Sequence, residues 1–185
     1  EVALSQPREL FEKTFMSLGV AIFILDSGLP PRILNCNPAA EKIFGYSLQE
    51  MVGKDTRFLH VSEEALAEFQ KKLYPSIDKQ GFIYLNDFVM KRKNGALFPS
   101  EHTVVPLNDE RGERIGWTSV VRDITGQKQM EEEIRKSNER YQLLADNVSD
   151  VMFMRDMNYR FTYLSPSVEK MTGYSVEEAM ALTLA

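Results

Sequence analysis

The stretch NPAAEKIFGYSLQE, residues 37–50, carries start and stop signals for two short helices. Asn37 is a favourable N-cap, Pro38 suits the first helical position, and Gly45 suits the position that ends a helix. A second short helix is predicted from SLQEMVG, residues 47–53. These helices form a layer that must pack on the extended segments to either side of it.

Extended segments lie on both sides of this helical layer. VAIFILD (residues 20–26) and RILNCN (residues 32–37) precede it and are separated by a Gly/Pro turn. A third helix, SEEALAEFQKKLY, leads into three long strand segments joined by the hairpin turns KNG and NDERG, at residues 81–93, 96–107 and 114–125. The predicted order is two strands, several short helices and three antiparallel strands.

The opening stretch recurs later in the chain. Residues 165–178 read SPSVEKMTGYSVEE, and their Pro, Glu-Lys, Gly-Tyr-Ser and final Glu match residues 37–50 at a constant offset of 128. Self-similarity of this kind indicates repeated domains. The first copy continues for about eighty residues, whereas the second stops at Ala185. We therefore predict one complete domain and the opening part of a second, in a piece of a longer protein.

The composition is that of an ordinary globular protein, with 185 residues, 43% hydrophobic and 26% charged. A net charge of −5 gives no basic surface of the kind that nucleic acid requires. Cys36 is the only cysteine and is expected to be a small core residue. A single cysteine allows no internal disulfide and favours a reducing, cytoplasmic location. The apolar runs are too short for a membrane segment.

Several motifs in this order resemble a PAS domain of the S-box type. They are N-x-N-P-A-A-E-K-I-F-G-Y-S-x-x-E-x-x-G, then K-R-K-N-G-x-x-F-P, then R-D-I-T followed by a charged helix. The resemblance covers residues of about 8–125, and residues of about 140–185 resemble the start of a second PAS domain. It implies an α+β fold in which a five-stranded antiparallel sheet with short helices on one face encloses a small pocket. It also implies a sensory role, most often upstream of a histidine kinase in a two-component phosphorelay.

The resemblance suggests a division of the chain into four parts. An N-terminal amphipathic helix is expected over residues 1–18, a complete PAS domain over 19–125, a linker helix over 126–148, and the N-terminal part of a truncated second PAS domain over 149–185. By the same resemblance, the junction between the sensor core and the output helix consists of Asp123, Ile124 and Thr125.

Both predicted helices outside the complete domain are candidates for joining two chains in a homodimer. In the linker, residues at heptad spacing form a stripe amid charged neighbours: Met130, Ile134, Ser137, Tyr141, Leu144 and Val148. One interpretation is an amphipathic helix that packs on its own domain. The other, slightly favoured, is a short parallel coiled coil between two chains.

The light-sensing relatives of this family hold a flavin that reacts with a cysteine, and here that position is Thr56. A threonine hydroxyl without an adjacent base cannot replace the thiol as a nucleophile. The polar positions that hold the flavin ring fall on Met90, Ser100 and Val121. Haem is also not expected, because the helix at 62–74 has no histidine and His60, just before it, is expected on the surface or in a loop. We therefore predict no cofactor.

A pocket can still be predicted from strand register. Alternate residues of a strand share a face, so a register with Ser100 turned inward also turns His102 and Val104 inward. The candidate pocket residues are mostly apolar with a few polar tips, as is usual for small-molecule sites: Phe44, Phe58, Leu66, Phe69, Phe88, Met90, Ser100, His102, Val104, Trp117, Ser119 and Val121. The alternative is that the same side chains simply fill the core and leave no room for a ligand.

We expect no catalytic or metal site in this chain. Neither His60 nor His102 lies in a phosphoacceptor context, and no nucleotide-binding, zinc-protease or serine-hydrolase motif is present. The expected function is a sensor that binds a small ligand and signals through the helix after residue 125, with kinase activity elsewhere in the whole protein. Alternatives are a ligand-free dimerisation module, the sensor region of a diguanylate cyclase or transcription regulator, and, least favoured, a haem or flavin redox sensor.

Overall fold

The computed structural model describes residues 2–147 and 150–181, which divide into two compact units on either side of the Gly126–Gln127 bond. Val148, the last position of the predicted heptad stripe, lies outside the described residues. Within these two ranges, no helix combines the length and the apolar character that a membrane span needs.

The first unit is built around a sheet of five antiparallel strands in the order β2-β1-β5-β4-β3. Helices α2 to α4 cover the face of the sheet whose side chains are buried. The predicted α+β class and the five-stranded antiparallel sheet are confirmed. In chain order, the elements are α1 (Val2–Ser17), β1 (Ala21–Asp26), β2 (Ile33–Cys36), α2 (Pro38–Phe44), α3 (Leu48–Met51), a 3-10 turn (Thr56–Leu59), α4 (Glu63–Gln80), β3 (Ile83–Lys91), β4 (Leu97–Asn108) and β5 (Arg114–Asp123).

The side chain of Asn37 joins three elements of this unit. Its Oδ1 atom accepts the N–H of Ile22 in β1 at 2.9 Å and the N–H of Ala40 in α2 at 3.2 Å. Its Nδ2 atom donates to the carbonyl oxygens of Phe15 in α1 and Val20. The amide is fully buried and all of these groups are paired, so Asn37 is both the N-cap of α2 and a structural crosslink.

Helix α4 is longer than the predicted segment, which ended at Tyr74. The helix continues through Pro75 to Gln80 and ends at Gly81, which has the left-handed conformation that glycine tolerates. A proline inside a helix removes one backbone hydrogen bond and strains the preceding turn. Leu73 and Ile77, on either side of it, pack against the core and offset that cost.

The repeated sequence stretch forms the same local structure in the second unit. After α5 (Thr125–Asn147), β6 (Phe153–Arg155) pairs with β7 (Phe161–Leu164), followed by α6 (Ser167–Thr172) and α7 (Val176–Ala181). Ser165 stands at the position of Asn37, and its hydroxyl accepts the N–H of Met152 at 2.9 Å. A small separate core contains Leu164, Val168 and Ala179.

Candidate functional site

A cavity of about 40 Å³ lies in the first unit between the buried face of the sheet and helix α4. Neighbouring residues of β1, β5 and β4 form the sheet side of this cavity. Val121 of β5 lies opposite Ala21 of β1 and His102 of β4. Ser119 of β5 lies opposite Phe23 of β1 and Val104 of β4. Because alternate residues share a face, these strands present neighbouring side chains to the same space.

Eight of the twelve predicted pocket residues lie on the wall of this cavity. They come from α4 and from strands β3, β4 and β5: Leu66, Phe69, Met90, His102, Val104, Trp117, Ser119 and Val121. The strand register predicted from the sequence turned the six strand residues among them inward, and all six are buried.

The other four predicted pocket residues do not lie on the cavity wall. The fully buried Phe44 packs edge-on against Phe23 and Phe98, with ring centroids 5.4 and 5.5 Å apart. Phe58 packs against Tyr46 at 4.8 Å. Phe44 therefore packs between α2 and the sheet, and Phe58 lies at the margin of the core, both away from the cavity wall.

Ser100 and Phe88 lie opposite each other next to a bulge in β3, and neither is on the cavity wall. The pairing of β3 with β4 shifts between Leu85 and Phe88, and Asp87 between them has a left-handed φ of 63°. Ser100 turns its hydroxyl to the carbonyl oxygen of Phe88, which it contacts at 2.7 Å. The Ser100 hydroxyl therefore bonds to the neighbouring strand, and the Phe88 ring packs against the rings of His60 and Phe69.

Several wall residues were not predicted from the sequence. Phe23 and Leu25 come from β1, whose inner face is fully apolar and gave no polar signal. Thr56 and Leu59 come from the 3-10 turn, and the second half of α4 adds Gln70, Leu73 and Tyr74. The turn between β1 and β2 also reaches the wall, through Gly28, Leu29 and Pro31. Leu29 is 70% exposed, so this end of the cavity faces the surface.

His60 is buried, so the expectation that it lies on the surface is wrong, although it does lie between the helices and strands. Only 3% of the residue is exposed, because the 3-10 turn before it lets its backbone pair with Met90 of β3. Its ring lies against the rings of Phe69 and Phe88, with centroids 5.8 and 5.7 Å apart. His102 completes this group of four rings, stacked on Phe69 at 5.1 Å.

The two histidines on the cavity wall have buried ring nitrogens, and not all of these nitrogens form hydrogen bonds. His102 Nε2 lies 2.9 Å from the hydroxyl oxygen of Ser119, and either atom can donate. The Nδ1 atoms of His60 and His102 are buried and have no hydrogen-bond partner within the described part of the chain. An unpaired buried polar atom costs about 1–3 kcal/mol, so each marks a place where a bound molecule or water would gain a hydrogen bond.

Both imidazoles are neutral near pH 7. Burial lowers the pKa of His60 to about 4, and the positive charge of Lys91 adds to this effect. Burial likewise lowers the pKa of His102 to about 3, with a smaller contribution from His60. Among the described residues, no Lys, Arg, Asp or Glu lines the cavity. The cavity is therefore uncharged, apolar over most of its wall, and polar at a few atoms.

The predicted junction residues are held by one hydrogen-bonded cluster at the end of β5. Oδ1 of Asp123 accepts the N–H of Thr125 at 2.9 Å and its hydroxyl at 2.6 Å, and Oδ2 pairs with the guanidinium of Arg92. Arg92 also donates to the carbonyl oxygen of Ile43 in α2. Ile124 is buried, and its N–H donates to the carbonyl oxygen of Pro99.

Arg92, which the sequence did not single out, links this cluster to the rest of the domain. Its guanidinium lies 4.0 Å from the ring centroid of Phe98, beside Phe44 in the core. Partial burial alone would raise the pKa of Asp123, but hydrogen bonds from Thr125 and Arg92 outweigh it and hold the pKa below its usual value. The start of α5 is thus tied to α2 and β3 through one charged pair.

Comparison with known proteins agrees with this architecture. The sequence profile of the PAS domain family matches residues 19–126, and a second PAS domain profile matches residues 139–185. The PAS domain of a protein from Colwellia psychrerythraea has the same fold, with a TM-score of 0.59 and 24% sequence identity, covering 64% of this chain and 97% of that one.

Two curated proteins are similar in sequence. The bacterioopsin transcriptional activator of Halobacterium salinarum is 26% identical over 156 residues, which are 82% of this chain and 22% of that protein. The probable diguanylate cyclase DgcE of Escherichia coli is 32% identical over 62 residues, 34% of this chain and 6% of that protein. The chain thus spans a minor part of both relatives. With more than half of its residues matched by the first profile, the chain belongs to the PAS domain family and is a sensory module of that family.

Proposed function

We propose that the first PAS domain takes a small molecule into the cavity beside His60 and His102 and passes the resulting change to α5 through Asp123. The observation that carries this proposal is that both histidines on the cavity wall have a buried Nδ1 atom without a hydrogen-bond partner among the described residues. A buried polar atom without a partner is rare in folded proteins and favours a bound molecule that supplies one.

The path to α5 is short. Trp117, Ser119 and Val121 line the cavity from β5, and Asp123 lies two residues further along the same strand. A ligand can shift an equilibrium only by binding one of two arrangements more tightly than the other. We propose that the two arrangements differ in how Arg92 and Thr125 share the carboxylate of Asp123.

For the whole protein, we propose a histidine kinase of a two-component phosphorelay, because tandem PAS domains resembling these commonly precede such kinases. A transcription regulator is a second candidate, because the similarity to the bacterioopsin transcriptional activator extends over 156 residues and both units. We retain the division at residues 1–18, 19–125, 126–148 and 149–185 as part of this proposal. Incubating the full-length protein with ATP and testing for phosphohistidine separates the two candidates.

The relay can be tested with a substitution that acts as a stimulus. In the full-length protein, Val104→Ile adds a methyl group to the cavity wall and is expected to change the output at least about fivefold, the usual lower size of an allosteric effect. Asp123→Ala is expected to abolish that change, because it removes both the Arg92 pair and the hydrogen bonds to Thr125. The measurement is a double-mutant cycle on kinase activity or reporter transcription.

Arg122→Ala is the matched control for this cycle. Arg122 is adjacent to Asp123 but is exposed, and its ion pair with Glu101 is long, at 3.7 Å. Exposed pairs of this kind contribute little. The Val104→Ile effect should therefore persist in the Arg122→Ala background. If it also persists at full size in Asp123→Ala, the signal does not pass through Asp123.

We also propose that the chain forms a homodimer through α5 and the N-terminal helix. On α5, Met130, Ile134, Tyr141 and Leu144 are each more than half exposed, although they follow heptad spacing. On α1, Leu10 and Met16 are similarly exposed. A second copy of the chain would cover these apolar stripes in a parallel coiled coil.

We expect Ile134→Glu to convert the dimer into a monomer, because it places a charge in the centre of the apolar stripe. Sedimentation velocity at matched concentrations measures the change. Gln129→Glu, which adds the same charge at an exposed position off the stripe, should leave the dimer intact. A wild-type chain that sediments as a monomer would refute this interface.

A further inference from the structure

The composition of the cavity wall restricts what it can bind. Apolar side chains from β1, β4 and α4 form most of the surface, among them Leu25, Val104 and Leu66. The polar atoms belong to neutral groups, chiefly the imidazoles of His60 and His102 and the hydroxyl of Ser119. On the basis of the proposed sensing function, we infer that the ligand is a short uncharged molecule carrying a hydroxyl group, of the class of short-chain alcohols.

Charged ligands do not fit this cavity. A buried carboxylate or ammonium group must be paired with an opposite charge or accept a large desolvation cost. No charged side chain of the described residues lines the wall, and Lys91, whose positive charge acts on His60, is not part of it. A carboxylate that enters this space would meet apolar side chains and neutral polar groups, among them Thr56, Gln70 and Tyr74, but no opposite charge from the described residues.

The unpartnered imidazole nitrogens favour a hydroxyl group over a carbonyl group. A neutral imidazole has one nitrogen that donates and one that accepts. Because the hydroxyl of Ser119 can either donate to Nε2 of His102 or accept from it, Nδ1 of His102 can take either role. A hydroxyl group both donates and accepts, so it can pair with Nδ1 in either tautomer. A carbonyl group can pair only with a nitrogen that carries hydrogen.

The size of the cavity limits the length of the molecule. A volume of about 40 Å³ corresponds to about three water-sized spheres, so about three or four non-hydrogen atoms can be held. Molecules this small bind with dissociation constants in roughly the millimolar range, because each atom contributes little. The exposed Leu29 of the β1–β2 turn lies at the end of the cavity that faces the surface and marks the entry side.

The test uses 1-propanol as the probe and propionate, with the same three-carbon chain and a negative charge, as its counterpart. The whole 185-residue chain is labelled with ¹⁵N histidine, and the imidazole nitrogens of His60 and His102 are followed by NMR at pH 7. We expect 1-propanol to shift the Nδ1 resonances of the two histidines in a saturable manner, and propionate to leave them unchanged.

Variants connect the binding to these atoms. His102→Phe removes the unpaired nitrogen while keeping an aromatic ring and should weaken 1-propanol binding about tenfold, the effect of one hydrogen bond, as seen on the His60 resonance. If His102→Phe does not fold, His60→Phe replaces it, and 1-propanol binding is then followed on the His102 resonance. Ser100→Ala is the control, because Ser100 is on the same strand as His102 but off the wall.

Two results would overturn the inference: no saturable shift with 1-propanol, which means that only water occupies the cavity, or equal shifts with propionate. The relay test with Val104→Ile and Asp123→Ala uses no ligand. If that test succeeds while 1-propanol does not bind, only the ligand class is wrong and the sensing function stands.

Discussion

Lowering the pH from 7 to 5 is expected to reduce the free energy of unfolding of the first PAS domain by about 4 kcal/mol, through two buried histidines. His60 and His102 have folded-state pKa values of about 4 and about 3, both below the value of about 6.5 in an unfolded chain. Between pH 6.5 and 4 the unfolded chain therefore binds more protons than the folded one. The stability from this source is complete above pH 6.5 and falls as the pH falls toward the folded values.

Carboxylates do not account for the loss in this pH range. Hydrogen bonds from Arg57 and Thr125 hold the pKa values of Asp55 and Asp123 below their usual values, against the effect of burial. Their contribution is present above the unfolded value near 4 and is lost only as the pH falls below it. The effect between pH 7 and 5 therefore belongs to the imidazoles.

Urea unfolding at pH 7, 6 and 5 measures the effect. Trp117 is the only tryptophan and is buried in the first unit, so its fluorescence reports on that unit alone. The His102→Phe variant should show about half of the wild-type pH dependence between pH 7 and 5. A wild-type unfolding midpoint that is the same at pH 7 and pH 5 would show that the two histidines are not buried as described.

Phe44→Ala is expected to lower the free energy of unfolding by about 4 kcal/mol, the typical cost of removing a buried phenylalanine ring. Phe44 is fully buried and makes edge contacts with both Phe23 of β1 and Phe98 of β4, so its removal leaves a hole between α2 and the sheet. The wild-type packing cannot close over such a hole without moving strands.

Phe58→Ala is the comparison. Phe58 is half-buried and its ring packs against that of Tyr46. The Phe58→Ala substitution should lower the free energy of unfolding by about 1–2 kcal/mol, because the site is open to solvent. Both variants are measured by urea unfolding at pH 7 with Trp117 fluorescence. Equal losses for the two variants would contradict the assignment of Phe44 to the core and of Phe58 to its margin.

The fold could be predicted because its signals are local. Asn37, Pro38 and Gly45 determine where α2 begins and ends, and each acts within a few residues of itself. The hairpin turns pair β3 with β4 and β4 with β5, and period-two alternation then assigns His102, Val104 and Ser119 to the inner face. These three residues lie on the cavity wall, on the face that the alternation predicts.

The parts of the site that could not be predicted depend on contacts between distant residues. His60 is buried because its backbone pairs with Met90, thirty residues later, and nothing near His60 in the sequence indicates this. Alternation assigns Ser100 to the inner face, where it is buried, but the sequence does not show that its hydroxyl bonds to the carbonyl oxygen of Phe88 and that neither residue is on the cavity wall. Arg92 looks like one of several basic residues in KRK until its partners Ile43 and Asp123 are seen.

The uninterrupted course of α5 from Thr125 to Asn147 has a consequence for exchanging domains between proteins. An α-helix turns by about 100° per residue, so adding or deleting one residue after Gly126 would rotate the apolar stripe at Met130 and Ile134 away from its original side. When this domain is fused to the output domain of another protein, both the length of the connecting helix and the direction in which its apolar stripe faces therefore matter. Functional fusions should recur at spacings of about seven residues, because two helical turns restore the original side.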